Sequence, residues 1–106
     1  MSPRVIFRRH VTVDLFDIHA FLQQHSPAAA ERFLVGVESS IDRLREFPGI
    51  GSPKHFRGRF RGIRSWRVEG FPNYLIFYRP AKEAIVVLGI LHGARHIPKA
   101  LRDREV

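Results

Sequence analysis

The sequence has no cysteine. Disulfides and thiolate metal sites are therefore excluded, which suits a reducing cytoplasm without requiring one. Long apolar runs are missing as well. The longest, "AIVVLGIL", covers eight residues (Ala84–Leu91), far short of the ~20 that a membrane-spanning helix needs. The opening "MSPRVIFRRH" lacks the apolar stretch of a secretory signal, so the expected location is the cytoplasm, with no membrane partner. No G-x-S-x-G nucleophile elbow and no phosphate-cradling Walker sequence occurs. "GRFRG" follows a loop rather than a strand, which does not support dinucleotide binding. No cofactor is expected. Acidic residues are scarce in one half only. Up to Gly51 six Lys/Arg balance six Asp/Glu, but from Ser52 onward twelve Lys/Arg face four Asp/Glu, so the whole net charge of +8 sits in the second half. Such asymmetry favours polyanionic or acidic partners through long-range electrostatics.

What is present fits one compact unit spanning residues 1–106, with 44% apolar residues. "RVIFR" (Arg4–Arg8) reads as a short strand. Val11, Leu15, Ile18 and Leu22 recur at helical spacing. Ser26 and Pro27 suit the N-cap and first position of a second helix. Ala30, Phe33, Leu34, Val37, Ile41 and Leu44 would form its buried face, and "FPGIGSP" ends it. The pair reads as an antiparallel helical hairpin over about 11–46. Strands are expected at Ile63–Glu69, Tyr74–Arg79 and Ala84–Leu91, joined by short turns and hence antiparallel. The fold class is α+β, in the order β-α-α-β-β-β: a mostly antiparallel curved sheet (about 4–8 and 63–91) with the hairpin on one face. "AIVVLGIL" is apolar on both sides, so its second face needs cover from the C-terminal tail (92–106) or from a partner.

Candidate chemistry is sparse. His92 and His96 stand four apart, but Gly93 lies between them and no carboxylate is near, so no metal site is expected. His10, His19, His25 and His55 are scattered. Ser26 serves as a cap, and Ser39, Ser40 and Ser65 lie within elements. Arg57, Arg59, Arg61, Arg64 and Arg67, interleaved with Phe56, Phe60 and Trp66, suit phosphate contact with base stacking; the plainer reading makes the aromatics core and the arginines solvated. A metal-free ribonuclease needs a base, cations for the phosphorane and an acid. Tyr74, Tyr78, Arg79, His92 and Arg95 are the side chains that offer those roles.

The pieces "DLFDIHAFLQQHSPAAAERF", "LREFPGIGSP", "GIRSWRV", "NYLIFYR" and "ILHGARHIP", from Asp14 to Pro98, together resemble the RelE/ParE superfamily of bacterial toxins of type II (plasmid stabilisation) toxin–antitoxin systems, and its ParE branch most closely. The resemblance implies the fold reached above and a cognate ParD-like antitoxin with an acidic C-terminal arm, bound in a hetero-oligomer. RelE-like members cleave mRNA in the ribosome, whereas ParE-like members poison DNA gyrase. RelE-like members place an arginine just after the tyrosine of the strand matching "NYLIFYR"; here that position is Leu75. They often carry a tyrosine near the C-terminus; here "ALRDREV" has none. The resemblance thus implies a non-catalytic gyrase inhibitor. The alternatives are a ribosome-dependent endoribonuclease with His92 or Arg95 in a degenerate site, and a relic that binds only antitoxin. "HGAR" (His92–Arg95) resembles the C-terminal ParE motif, which implies a part in toxicity; the equal alternative is a plain turn at the strand end, where Gly93 would permit positive φ. For antitoxin binding, Leu15, Ile18, Leu22, Tyr74 and Tyr78 are the candidates; for the three α1 residues the plainer and favoured reading is hairpin core.

Overall fold

The computed structural model describes residues 3–106. Among these, β1 (Arg4–Phe7), α1 (His10–His25), α2 (Pro27–Glu46), β2 (Ser52–Pro53), a 3-10 turn (Gly58–Phe60), β3 (Arg64–Val68), β4 (Phe71–Ala81), β5 (Ala84–His92) and α3 (Ile97–Leu101) follow in order. The five strands form one sheet in the order β1-β5-β4-β3-β2. β1 runs parallel to β5, and the other pairs are antiparallel.

One extended residue turns the chain between the helices. Ser26 (φ −161, ψ 109) ends α1, and its Oγ accepts from the Ala29 N–H at 3.1 Å, while Pro27 opens α2 without wasting a donor. Ala30, Phe33, Val37, Ile41 and Leu44 are buried as expected, but Leu34 is 37% exposed. The inward side of α2 also runs through Gly36 and Ser40, because the β3–β4 turn crosses there at backbone distance. A Cβ on Gly36 would lie 2.3 Å from the Glu69 carbonyl oxygen. Ser40 Oγ donates to the Gly36 carbonyl at 2.7 Å and accepts from the Glu69 N–H at 2.9 Å, stitching the turn to the helix. Gly36→Ala is expected to lower stability by about 1–3 kcal/mol through overpacking against fixed backbone, read as a shift in urea midpoint.

Two cores flank the sheet. The hairpin face gathers Val11, Phe33, Val37, Ile41, Leu44, Val68, Ile76, Tyr78, Ile85, Val87 and Ile90. The opposite face gathers Ile63, Phe77, Val86, Leu88, Leu91 and Leu101, with Phe56, Phe60, Ile97, Ala100 and Val106 packed against them. Of the two covers that the sequence left open for this face, the chain's own basic loop and tail supply it.

Tyr78 is fully buried. Its hydroxyl donates to the Pro48 carbonyl at 2.7 Å and accepts from the Gly51 N–H at 2.9 Å. Gly51 has no Cβ, and a Cβ there would lie 2.6 Å from that hydroxyl oxygen. Burial pushes the phenol above its usual 10.0, while the Gly51 N–H and Arg64 pull it down. An acid raised on folding holds its proton more tightly when folded. Its contribution is present below the unfolded pKa and is lost as pH climbs past about 10. Tyr78→Phe should cost about 1–3 kcal/mol at neutral pH by orphaning the Gly51 N–H. It should also give a shallower loss of stability than wild type between about pH 9 and 11, measured by denaturant melts across that range.

A bulge in β5 sets the far end of the sheet. Phe77 pairs with Gly89 but Tyr78 with Val87, leaving Leu88 as the extra residue. β1 stops at Phe7, opposite Val87, so β5 beyond that point has a bare edge. A buried ion pair covers it. Asp14 of α1 accepts from the Ile90 N–H at 3.0 Å, and Arg104 of the tail donates to both Asp14 oxygens at 2.6 Å. Asp14 and Arg104 are only 6% and 9% exposed. Gly89 makes the room, since a Cβ there would lie 2.9 Å from Arg104 Nη1.

Candidate functional site

The ribonuclease candidates divide: Tyr74, His92 and Arg95 meet at the end of β5, while Arg79 and the buried Tyr78 lie elsewhere. Tyr74 pairs with His92 across β4 and β5, and their rings meet edge to face at 5.3 Å. Tyr74 packs on the hairpin core. Arg79 lies five residues further along β4, about 17 Å at strand rise, and alternation turns it to the opposite face. There its Nε donates to the Arg61 carbonyl at 3.0 Å and its Nη2 to the Arg59 carbonyl at 2.6 Å, so two of its donors hold the basic loop. His92 and Arg95 are exposed at the end of β5. His92 Nδ1 accepts from the Ala94 N–H at 3.1 Å, and the His92 carbonyl accepts from the Arg95 N–H at 3.1 Å, which closes "HGAR" into a turn. Gly93 does not take the expected positive φ, which among the described glycines belongs to Gly58, Gly62 and Gly70. His96 caps α3 through Nδ1, which accepts from the Lys99 N–H at 3.3 Å. No cluster of three or more metal-ligating side chains occurs among the described residues.

The five arginines split by task. Arg57, Arg59 and Arg61 remain exposed on the loop. Arg59 also donates to the carbonyl of Arg104 at 2.8 Å and to that of Arg102, tying the loop to the tail. Arg64 turns away, donating through Nη1 to the Gly51 carbonyl at 2.8 Å. Arg67 lines a separate open groove of about 770 Å³ beneath α2, with Ser39, Asp42, Glu46, Trp66 and Glu69. The loop aromatics are not free for stacking: Phe56 and Phe60 are half-buried against the second core, and the Arg59 guanidinium covers the Phe60 ring at 4.8 Å.

The antitoxin candidates also fall inside. Leu15, Ile18 and Leu22 are half-buried against the hairpin core, as is Tyr74, and Tyr78 has no exposed surface. They hold α1 to the sheet. The apolar side chains that α1 shows to solvent are others: Val13, Phe16 (72% exposed) and Phe21. Single-residue exposure cannot be read from a periodic stripe once apolar residues surround the helix, so no pattern in the chain marks them out. Leu75, at the position of the ribonuclease arginine, packs on the second core beside Phe77.

Residues 5–97 match the family described as "ParE toxin of type II toxin-antitoxin system, parDE". The chain belongs to the ParE toxin family. As a ParE-family toxin it implies a cognate antitoxin partner. It is similar to "Putative toxin Y4kP" of Sinorhizobium fredii (29% identity; 82% of this chain, 84% of that protein). It is likewise similar to "Toxin RelE2" of Caulobacter vibrioides (28% identity; 87% and 97%). Its fold matches a solved structure described as the "Chromosomal ParDE TA system from P. aeruginosa", with a TM-score of 0.67 at 16% identity over 86% of this chain and 96% of that one. Among the described residues no helix of this ParE-family toxin is long and apolar enough to cross a membrane.

Proposed function

We propose that this ParE-family toxin is a non-catalytic, cytoplasmic inhibitor of DNA gyrase, neutralised by a ParD-like antitoxin with an acidic arm. The observation that carries the non-catalytic reading is Leu75. Where ribonuclease relatives of the superfamily place an arginine on the scissile phosphate, this chain places an apolar side chain packed against Phe77 and Leu91. The placement of Arg79 supports it: Tyr74, His92 and Arg95 gather at the end of β5, but Arg79 lies on the opposite face and holds the basic loop, whereas acid, base and phosphate-binding groups must sit within reach of one phosphate. Charge supports the partner. From Ser52 onward the chain holds eight more basic than acidic residues, and an acidic arm complements that field. For its apolar contacts, Val13, Phe16 and Phe21 of α1 are free, whereas Leu15, Ile18 and Leu22 are engaged within the fold.

Primer extension on an actively translated message tests the reaction class. No new 5′ ends are expected after induction. Codon-specific ends that vanish on mutating His92 or Arg95 would establish the ribonuclease reading instead. The antitoxin should bind only the folded toxin and so raise its stability with concentration, by about 4 kcal/mol at a thousand times Kd; a midpoint unmoved by the cognate antitoxin would contradict the partner assignment.

A further inference from the structure

Of the twelve Lys/Arg from Ser52 onward, only Arg104 has a carboxylate partner among the described residues. Distant stretches of the remaining cations meet on one side of the molecule. Phe56 and Phe60 of the basic loop and Ile97 and Ala100 of α3 pack on the same sheet face. Arg59 bonds the carbonyls of Arg102 and Arg104, and Arg79 bonds those of Arg59 and Arg61. This brings Arg57, Arg59 and Arg61 beside Lys99 and Arg102, all exposed. Arg59 and Arg79 leave part of each five-donor fork free. The loop is thus a braced array of cations rather than a floating one. On the tail Asp103 and Glu105 are the acidic residues nearby, and Glu105 is paired with Arg8 at 3.1 Å.

We infer that the joined loop and tail form a phosphate-binding face for duplex DNA, made by Arg57, Arg61, Lys99 and Arg102 around the braced Arg59. Duplex is favoured over single strands because neither aromatic of this face presents an open ring: Phe56 and Phe60 are half-buried against the second core, and the Arg59 guanidinium already lies over the Phe60 ring at 4.8 Å. The exposed aromatics, Phe7, Phe16, Phe21 and Phe47, lie on β1, α1 and the end of α2. Without a stacking platform, unpaired bases have nothing to rest on, whereas a rigid cation array suits a regular backbone. Such binding is sequence-independent. It goes beyond the gyrase reading and stands without it.

The test is fluorescence anisotropy of the purified chain with a labelled random-sequence duplex, titrated between about 50 and 200 mM salt. The variant R57Q/R61Q/K99Q/R102Q should make the slope of log affinity against log salt shallower by roughly four, with binding at the low-salt end at least about tenfold weaker. The charge-matched control R4Q/R9Q/R32Q/R43Q removes four exposed cations from the first half and should leave most of the slope in place. Circular dichroism melts of both variants serve as the check that each still folds. Equal loss in the two variants would overturn a localised face, as would unchanged binding in the first. A single strand or a polyglutamate chain that binds as tightly as the duplex would overturn the assignment to duplex DNA. Failure of this binding would leave gyrase inhibition intact, since that is read with the enzyme present.

Discussion

Arg104→Ala should destabilise the fold by about 3–5 kcal/mol, the range for breaking a buried ion pair by removing one partner. The loss is large because Asp14 would stay behind as a buried, uncompensated carboxylate, 6% exposed, still beside the Ile90 N–H. A domain this size holds only about 5–15 kcal/mol in all. Asp14→Ala should be comparably costly, since it strands the guanidinium and unties the bare edge of β5. The double change Asp14→Leu with Arg104→Met should recover much of the loss, because apolar replacement of both partners removes the desolvation penalty that either alone exposes. Urea denaturation of the three variants decides it. A single variant within about 1 kcal/mol of wild type, the range of an exposed pair, would show that the tail is not anchored there.

Leu101→Ala should cost about 2–5 kcal/mol. Leu101 is fully buried and sits in the second core with Ile63, Phe77, Leu88 and Leu91. Truncating it opens a cavity that the short α3 cannot close, because Arg104 and Arg59 hold the segment after it in place. Leu101 and Arg104 both reach the space above Gly89, so their losses should not add. The outcome separates two origins for the cover of that face. If the tail were a loose flap awaiting a partner, Leu101→Ala would leave the urea midpoint nearly unmoved.

The hairpin was legible because its signals are local: a serine cap, a proline after it and helical spacing of Val11, Phe33, Val37 and Leu44. The β3–β5 meander was legible from its short turns. The parallel pairing of β1 with β5 was not, since it joins residues some eighty apart with no turn to mark it. The open sequence question was which element covers the second face of β5. The tail was one of the two candidate covers, but nothing in "ALRDREV" marks Arg104 as buried; only the three-dimensional meeting of Asp14, Gly89 and Arg104 gives it that role. Gly89, a lone glycine inside an apolar run, was the available sign of a bulge. At the candidate site, Leu75 packs on the second core, as strand alternation with Phe77 implies. The five arginines were grouped by sequence spacing, and the fold divides them because Arg64 and Arg67 belong to a strand while Arg57, Arg59 and Arg61 belong to a loop. Tyr78 looked like a surface contact; its hydroxyl instead braces the segment around Pro48 and Gly51.

The most direct measurement is a gyrase assay with purified components: supercoiled plasmid, gyrase, ATP and the toxin, quenched with detergent and protease. Linear plasmid should accumulate with toxin dose and disappear when the cognate antitoxin is added first. Unaltered supercoiling with no linear product at any toxin concentration, from a folded and monodisperse preparation, would contradict the assignment of gyrase as the target.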